Sequence, residues 1–167
     1  MARPDPIDEA RRQWEAHDLA EPAAMAAVTS IMRAQQLVNG AVDRALRPFE
    51  LTFARYEVLM LLRFSREGAL PITKVGDRLM VHPTGITKLV DKLEQQGFVE
   101  RVANPDDRRG TLARLTAAGL AVAKRATSAV ESIRFGADLP DADLEAIVAV
   151  LRRLREQAGD ITPKTET

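Results

Sequence analysis

The chain of 167 residues contains no cysteine, which excludes disulfide scaffolds, thiolate zinc sites, iron–sulfur clusters and thiol redox sensing. Aromatic residues are scarce: one Trp, one Tyr and five Phe. That supply is too thin and scattered for the stacking platforms that grip single-stranded nucleic acid. Neither charge is in excess, with 24 Lys+Arg against 24 Asp+Glu, so the chain is no histone-like coat of bulk positive charge. No uncharged apolar run approaches the roughly 18 residues of a membrane helix. The start, Met-Ala-Arg-Pro-Asp-Pro, passes straight into charged sequence without the apolar core of a signal peptide. These absences predict a soluble cytoplasmic protein with no membrane partner.

Catalytic signatures are missing too. With only His17 and His82, no glycine-rich phosphate loop and no nucleophile motif, nothing supplies an activated nucleophile or a metal cage. Asp106 and Asp107, like Asp141 and Asp143, sit where a turn or a helix start explains them. The expectation is a protein without enzyme activity, metal or cofactor.

What is present is mostly helix, because apolar residues recur at three- and four-residue spacing. A short charged helix is predicted over Pro6 to His17, with Ile7, Ala10 and Trp14 along one side. A long one follows from Glu21 to Leu46. Its apolar residues, among them Met25, Val28, Met32, Leu37 and Val38, cover more than one stripe, so one surface of it should meet a partner. Thr52 is expected to cap a helix over Phe53 to Phe64 and Thr73 a short one ending at Leu79; Leu70 to Ile72 reads as a brief strand. Pro83 suits the first position of a helix running to about Gln96, before Gly97. Beyond it the period falls to two over Phe98 to Val102 and Thr111 to Leu115, separated by turn formers, which predicts a two-stranded ribbon. Thr116 caps a further helix reaching about Phe135, and a last amphipathic helix spans Asp141 to Gln157.

Two helices joined by a tight turn and followed at once by a ribbon make a winged helix-turn-helix. The predicted class is therefore mainly α with a small β-ribbon. Residues 51–116 form the DNA-binding module, and residues 1–50 and 117–167 form helical arms that mediate dimerisation. In the second helix Ile86, Leu89, Val90 and Leu93 make a buried stripe, while Thr84, Thr87, Lys88 and Asp91 occupy another face. Short hydroxyls at Thr84 and Thr87 suit base edges or thymine methyls, and Lys88 and Lys92 suit phosphates. Gly85 lowers helix propensity by about 1 kcal/mol relative to Ala, which makes sense where backbone must approach a partner closely. At the ribbon tip Arg108 and Arg109 stand beside Asp106 and Asp107; a tip arginine reaches an adjacent minor groove while a carboxylate holds it in place. The competing reading of the same elements is a helical protein-interaction module that does not bind DNA.

Thr52, the stretch Val75 to Gly97, and above all Asp107-Arg108-Arg109 followed by Leu115-Thr116 and Gly119 resemble the MarR family of bacterial transcriptional regulators. The similarity spans roughly Met25 to Leu154. It implies a homodimer whose N- and C-terminal helices interleave, each winged module reading a half-site of a pseudo-palindromic operator in double-stranded DNA. Arg109 would be the minor-groove arginine and Asp107 its tether, with Thr84, Thr87 and Lys88 in the major groove.

The resemblance further implies a repressor released by a small aromatic or phenolic anion bound between the dimer helices and the winged module. The lining residues it suggests are Trp14, Arg55, Tyr56, Glu57 and His82. The first helix, with Trp14, also resembles the urate-responsive branch of that family, with Glu57 where the branch carries Asp and Lys88 where it carries Arg. Trp14 has a second reading, as an anchor packing the first helix onto the body, and His82 has one as a local helix cap or a phosphate contact. By segment, residues 51–116 carry a net charge of +3, against −2 and −1 on the two arms. Such a small excess favours a reader that depends on a few well-placed residues.

Overall fold

The computed structural model describes residues 4–80, 82–105 and 107–162, excepting the side chains of Pro83, Arg108 and Arg109. The chain divides into two compact units, Met1–Gly136 and Ala137–Thr167.

The first unit opens with α1, Pro6–Ala16, started by the Asp5 side chain accepting from the Ile7 N–H at 2.9 Å. No residue of α1 is buried. The following α2, Pro22–Leu46, buries only Val42 and Leu46 near its end. Upstream, Val28, Ile31, Met32 and Leu37 are 51%, 40%, 60% and 56% exposed, an apolar face far drier in composition than solvent tolerates on a lone helix. A single 3-10 turn, Arg47–Phe49, ends it.

Thr52 caps α3, Phe53–Phe64, accepting from the Arg55 N–H at 3.4 Å. This helix buries Tyr56, Val58, Leu59 and Leu62 and runs through the middle of the core. A three-residue strand β1, Ala69–Pro71, leads into α4, Ile72–Leu79, and then α5, Pro83–Gln95. The expected Thr73 cap is corrected here: α4 begins two residues after Leu70, with Pro71 at the cap position and no side-chain cap bond, so Thr73 lies inside the first turn. Pro71 already holds the extended conformation a cap needs (φ −53°, ψ 133°). Met80 turns the chain between α4 and α5 in the left-handed conformation, φ 54°.

The wing is longer than the sequence pattern suggests. Its strands are β2, Val99–Asn104, and β3, Asp107–Leu115, paired from Val99↔Leu115 to Ala103↔Thr111 with a register shift before Asn104↔Asp107. The ribbon is also not two-stranded. β1 joins the other edge of β3 antiparallel, Ala69↔Arg114 to Pro71↔Leu112, giving the order β1-β3-β2. Pro71 is tolerated because it sits on an edge strand.

After β3, Thr116 caps α6, Ala117–Ser132, accepting from the Gly119 N–H at 3.0 Å. The helix stops three residues before Phe135 because Arg134 and Phe135 take positive φ, 47° and 53°. Gly136 (φ 77°) then lies against α2, where a Cβ would meet that of Ala41 at 2.9 Å. The core gathers Leu46, Val58, Leu59, Leu62, Val75, Ile86, Val90, Leu93, Val99, Ala123, Ala126 and Val130, so α3, α5, α6 and the sheet share one interior.

The second unit contains α7, Asp141–Gln157, with Asp141 and Asp143 in its first turn, where the helix dipole favours them. Arg152 pairs with Glu156 at 2.9 Å and Arg155 with Asp160 at 2.6 Å. Ile147, Val148 and Leu154 are exposed. Among the described residues no helix is long and apolar enough to cross a membrane.

Candidate nucleic-acid interface

The division of α5 into two faces is physical. Ile86, Val90 and Leu93 are 2%, 0% and 0% exposed, with Leu89 packed against the same core, while Thr84, Thr87, Lys88 and Lys92 are exposed and Gly85 is half-buried. One face is fixed by burial. The other presents hydroxyls and ammonium groups to solvent. Val75 and Gly76 of α4 are both buried. His82 caps α5, its Nδ1 accepting from the Thr84 N–H at 3.3 Å.

Two braces fix α5 relative to the wing. Arg101 on β2 reaches back to Asp91 at 2.6 Å and also pairs with Glu94, while its backbone N–H donates to the Glu94 carboxylate at 3.3 Å. Asp91, grouped with the polar face by spacing, is thus spent on holding the helix to the ribbon. Just before β2 the Thr116 hydroxyl donates to the Gly97 carbonyl at 2.7 Å, and the Thr116 N–H to the Phe98 carbonyl at 3.1 Å. These bonds close the turn that follows α5 onto the start of α6.

At the ribbon tip, Asp107 begins β3 and Gly110 lets the strands close: a Cβ there would lie 3.1 Å from both Asn104 Nδ2 and Asp107 Oδ2. Arg108 and Arg109 fall within β3; their side chains and residue 106 lie outside the described set.

The remaining sequence-derived candidates are dispersed. The Trp14 indole N–H donates to the Ala20 carbonyl at 2.8 Å, stapling the turn between α1 and α2. Tyr56 is buried, stacked on Phe53 at 6.2 Å, with its hydroxyl 3.1 Å from that of Thr127 on α6. Glu57 is half-buried, and that burial raises its carboxyl above the ordinary value. His82 stands at the start of α5.

Arg55 faces elsewhere. Its guanidinium donates to Gln96 Oε1 at 3.0 Å and to Thr52 Oγ1 at 3.4 Å, on the wall of a groove of about 560 Å³ that Asp43, Arg47 and Lys92 also line. A second cavity, about 420 Å³, is lined by Phe49, Phe98, Ala118, Val122 and Arg125 among others, with the Arg125 guanidinium 5.4 Å from the centre of the Phe49 ring.

Sequence reasoning passed over Arg101, Gln96 and Arg47. Arg101 sits seven residues after Glu94 and ten after Asp91, across a turn, where no helical or strand periodicity relates them.

A helix-turn-helix with a braced second helix and a three-stranded wing defines the chain as a winged helix-turn-helix protein. The MarR family model matches residues 51–111. The HTH-type transcriptional regulator YhbI of Bacillus subtilis is 30% identical over 125 residues, covering 75% of this chain and 77% of that protein. Among solved structures, Sco5413, a MarR family transcriptional regulator from Streptomyces coelicolor, is 47% identical, with a TM-score of 0.77 over 84% of this chain and 99% of that one. Sco3205 from the same organism, a MarR family regulator solved in complex with DNA, is 25% identical with a TM-score of 0.73, over 83% and 87% of the two chains. The chain belongs to the MarR family of transcriptional regulators.

Proposed function

We propose that the protein is a homodimeric repressor that reads a pseudo-palindromic operator in double-stranded DNA through α5, with Arg109 at the wing tip in the adjacent minor groove. The observation that carries this reading is the two-faced α5. Thr84, Thr87, Lys88 and Lys92 stand in solvent on a helix whose opposite face is buried and whose far end is clamped by Arg101. A rigid helix with short hydroxyls near its start and cations further along is what entry into a major groove requires. The structural likeness to a protein solved on DNA supports it.

The exposed apolar residues of α2, Val28, Ile31, Met32 and Leu37, support dimerisation, since burial in a second copy removes them from water. Release of the operator by a small aromatic anion completes the reading. The cavity between Phe49, Phe98 and Arg125 supports that step: it offers ring faces for an aromatic body and a guanidinium for a carboxylate or phenolate.

The test is a titration of a selected duplex by fluorescence anisotropy at several salt concentrations. Operator binding gives an affinity that falls steeply with salt as counterions are released. A protein-interaction module gives no such affinity.

A further inference from the structure

We propose that Arg47, Arg55 and Lys92 form a phosphate clamp that grips the DNA backbone at the edge of each half-site. The clamp rests on the DNA-binding reading above. Three observations converge on it.

The groove these residues line joins the end of α2, the first turn of α3 and the last turns of α5. It is open, and its lining residues, Leu51 apart, carry charged or polar side chains, Thr52 and Gln96 among them. Such a surface suits a hydrated oxyanion better than an apolar ligand.

The positive charges are also uncommitted. Among the described residues no ion pair engages Arg47, Arg55, Lys88 or Lys92. Arg55 is held instead by neutral partners, Gln96 and Thr52, and Gln96 is itself fixed by donating to the Glu50 carbonyl at 3.0 Å. The guanidinium is therefore aimed without being neutralised. The carboxylates facing the groove are Asp43, which accepts from the Phe53 N–H at 3.4 Å, and Glu50. Three cations against two carboxylates leave the groove positive.

Position supplies the third observation. Thr84, Lys88 and Lys92 lie on successive turns of α5, so Lys92 stands about 12 Å along the helix from Thr84. That distance is close to the width of the major groove, about 12 Å. With Thr84 at the bases, Lys92 arrives where a phosphate strand borders the groove, and Arg55 and Arg47 extend the same basic track beyond it. The clamp supplies the non-specific grip that a module of net charge +3 otherwise lacks.

Anisotropy titrations of the full chain on its selected duplex, between about 50 and about 200 mM salt, test this with Arg47→Gln and Lys92→Gln, both at exposed positions. Each variant is expected to lower the slope of log K against log salt by about 0.9 for each lost contact, hence by about two for a dimer, with the selected consensus unchanged. An unchanged slope overturns the clamp while leaving the DNA-binding reading intact. A changed consensus for Lys92→Gln also overturns it, since that residue is then reading bases. Inorganic phosphate added at constant ionic strength is expected to leave the complex intact; release would mark the groove as a receptor for a small phosphorylated ligand instead. If the unaltered chain binds no duplex, the clamp and the DNA-binding reading fall together.

Discussion

Gly119 on α6 lies so close to Phe98 that a Cβ on the glycine would fall 2.0 Å from the Phe98 carbonyl oxygen and 2.8 Å from its carbon. The neighbour is backbone, held by the Thr116 N–H, and cannot step aside. This contact gives the Leu-Thr-x-x-Gly pattern a physical meaning: Thr116 caps α6 through Gly119 and ties it to Gly97, and Gly119 allows α6 to rest on the start of β2.

Gly119→Ala is accordingly expected to cost about 3 kcal/mol or more, as overpacking against rigid backbone does. Urea denaturation monitored by circular dichroism measures it. A loss below about 1 kcal/mol would show that α6 can shift off β2.

Arg101→Gln removes the brace between β2 and α5. The side chain keeps 27% of its exposure, so the stability loss should be modest, about 1 kcal/mol. Operator affinity should drop by about tenfold or more, because α5 loses the contact that fixes its angle to the wing. Comparing melting curves with anisotropy titrations separates the two effects, and equal small losses in both would mean that the pair only decorates the surface.

Burial raises the Glu57 carboxyl above its ordinary value, so the folded state holds this proton more tightly than the unfolded chain. The stability attached to that proton is present below the unfolded value and is lost as pH rises through the folded one. Glu57→Gln should therefore melt higher than the parent at pH 8, with the gain shrinking toward zero at pH values below the ordinary carboxylate range. Differential scanning calorimetry across pH checks the sign.

Arg109→Ala should weaken operator binding by about tenfold without changing the dimer, since a minor-groove guanidinium contributes affinity at the wing tip alone. Sedimentation and anisotropy on the same preparations decide the matter; unchanged affinity would remove Arg109 from the interface.

Much of the fold was legible where periodicity ran long. Phe53–Phe64 and Asp141–Gln157 fall on the residues that spacing predicts, and Pro83 opens α5 as its missing N–H allows. The pairing of β1 with β3 was not legible. Three residues carry no measurable period, and the partner of Leu70 is Ala113, more than forty positions away. Nor could spacing reveal that α6 stops at Ser132, because left-handed Arg134 and Phe135 are unfavourable choices for residues other than glycine. At the interface the exposed stripe of α5 followed from its buried one, whereas the use of Asp91 as a brace and the place of Arg55 beside Lys92 depend on elements distant in the chain.

Base reading by α5 is what the proposed function turns on. Selection from a pool of random duplexes, run with the unaltered chain and with Thr87→Val, tests it most directly. The expected result is a pseudo-palindromic consensus with half-site centres about 10 bp apart, and a changed preference at one position of each half-site for the variant. No enrichment by the unaltered chain, or the same consensus from both proteins, would contradict it.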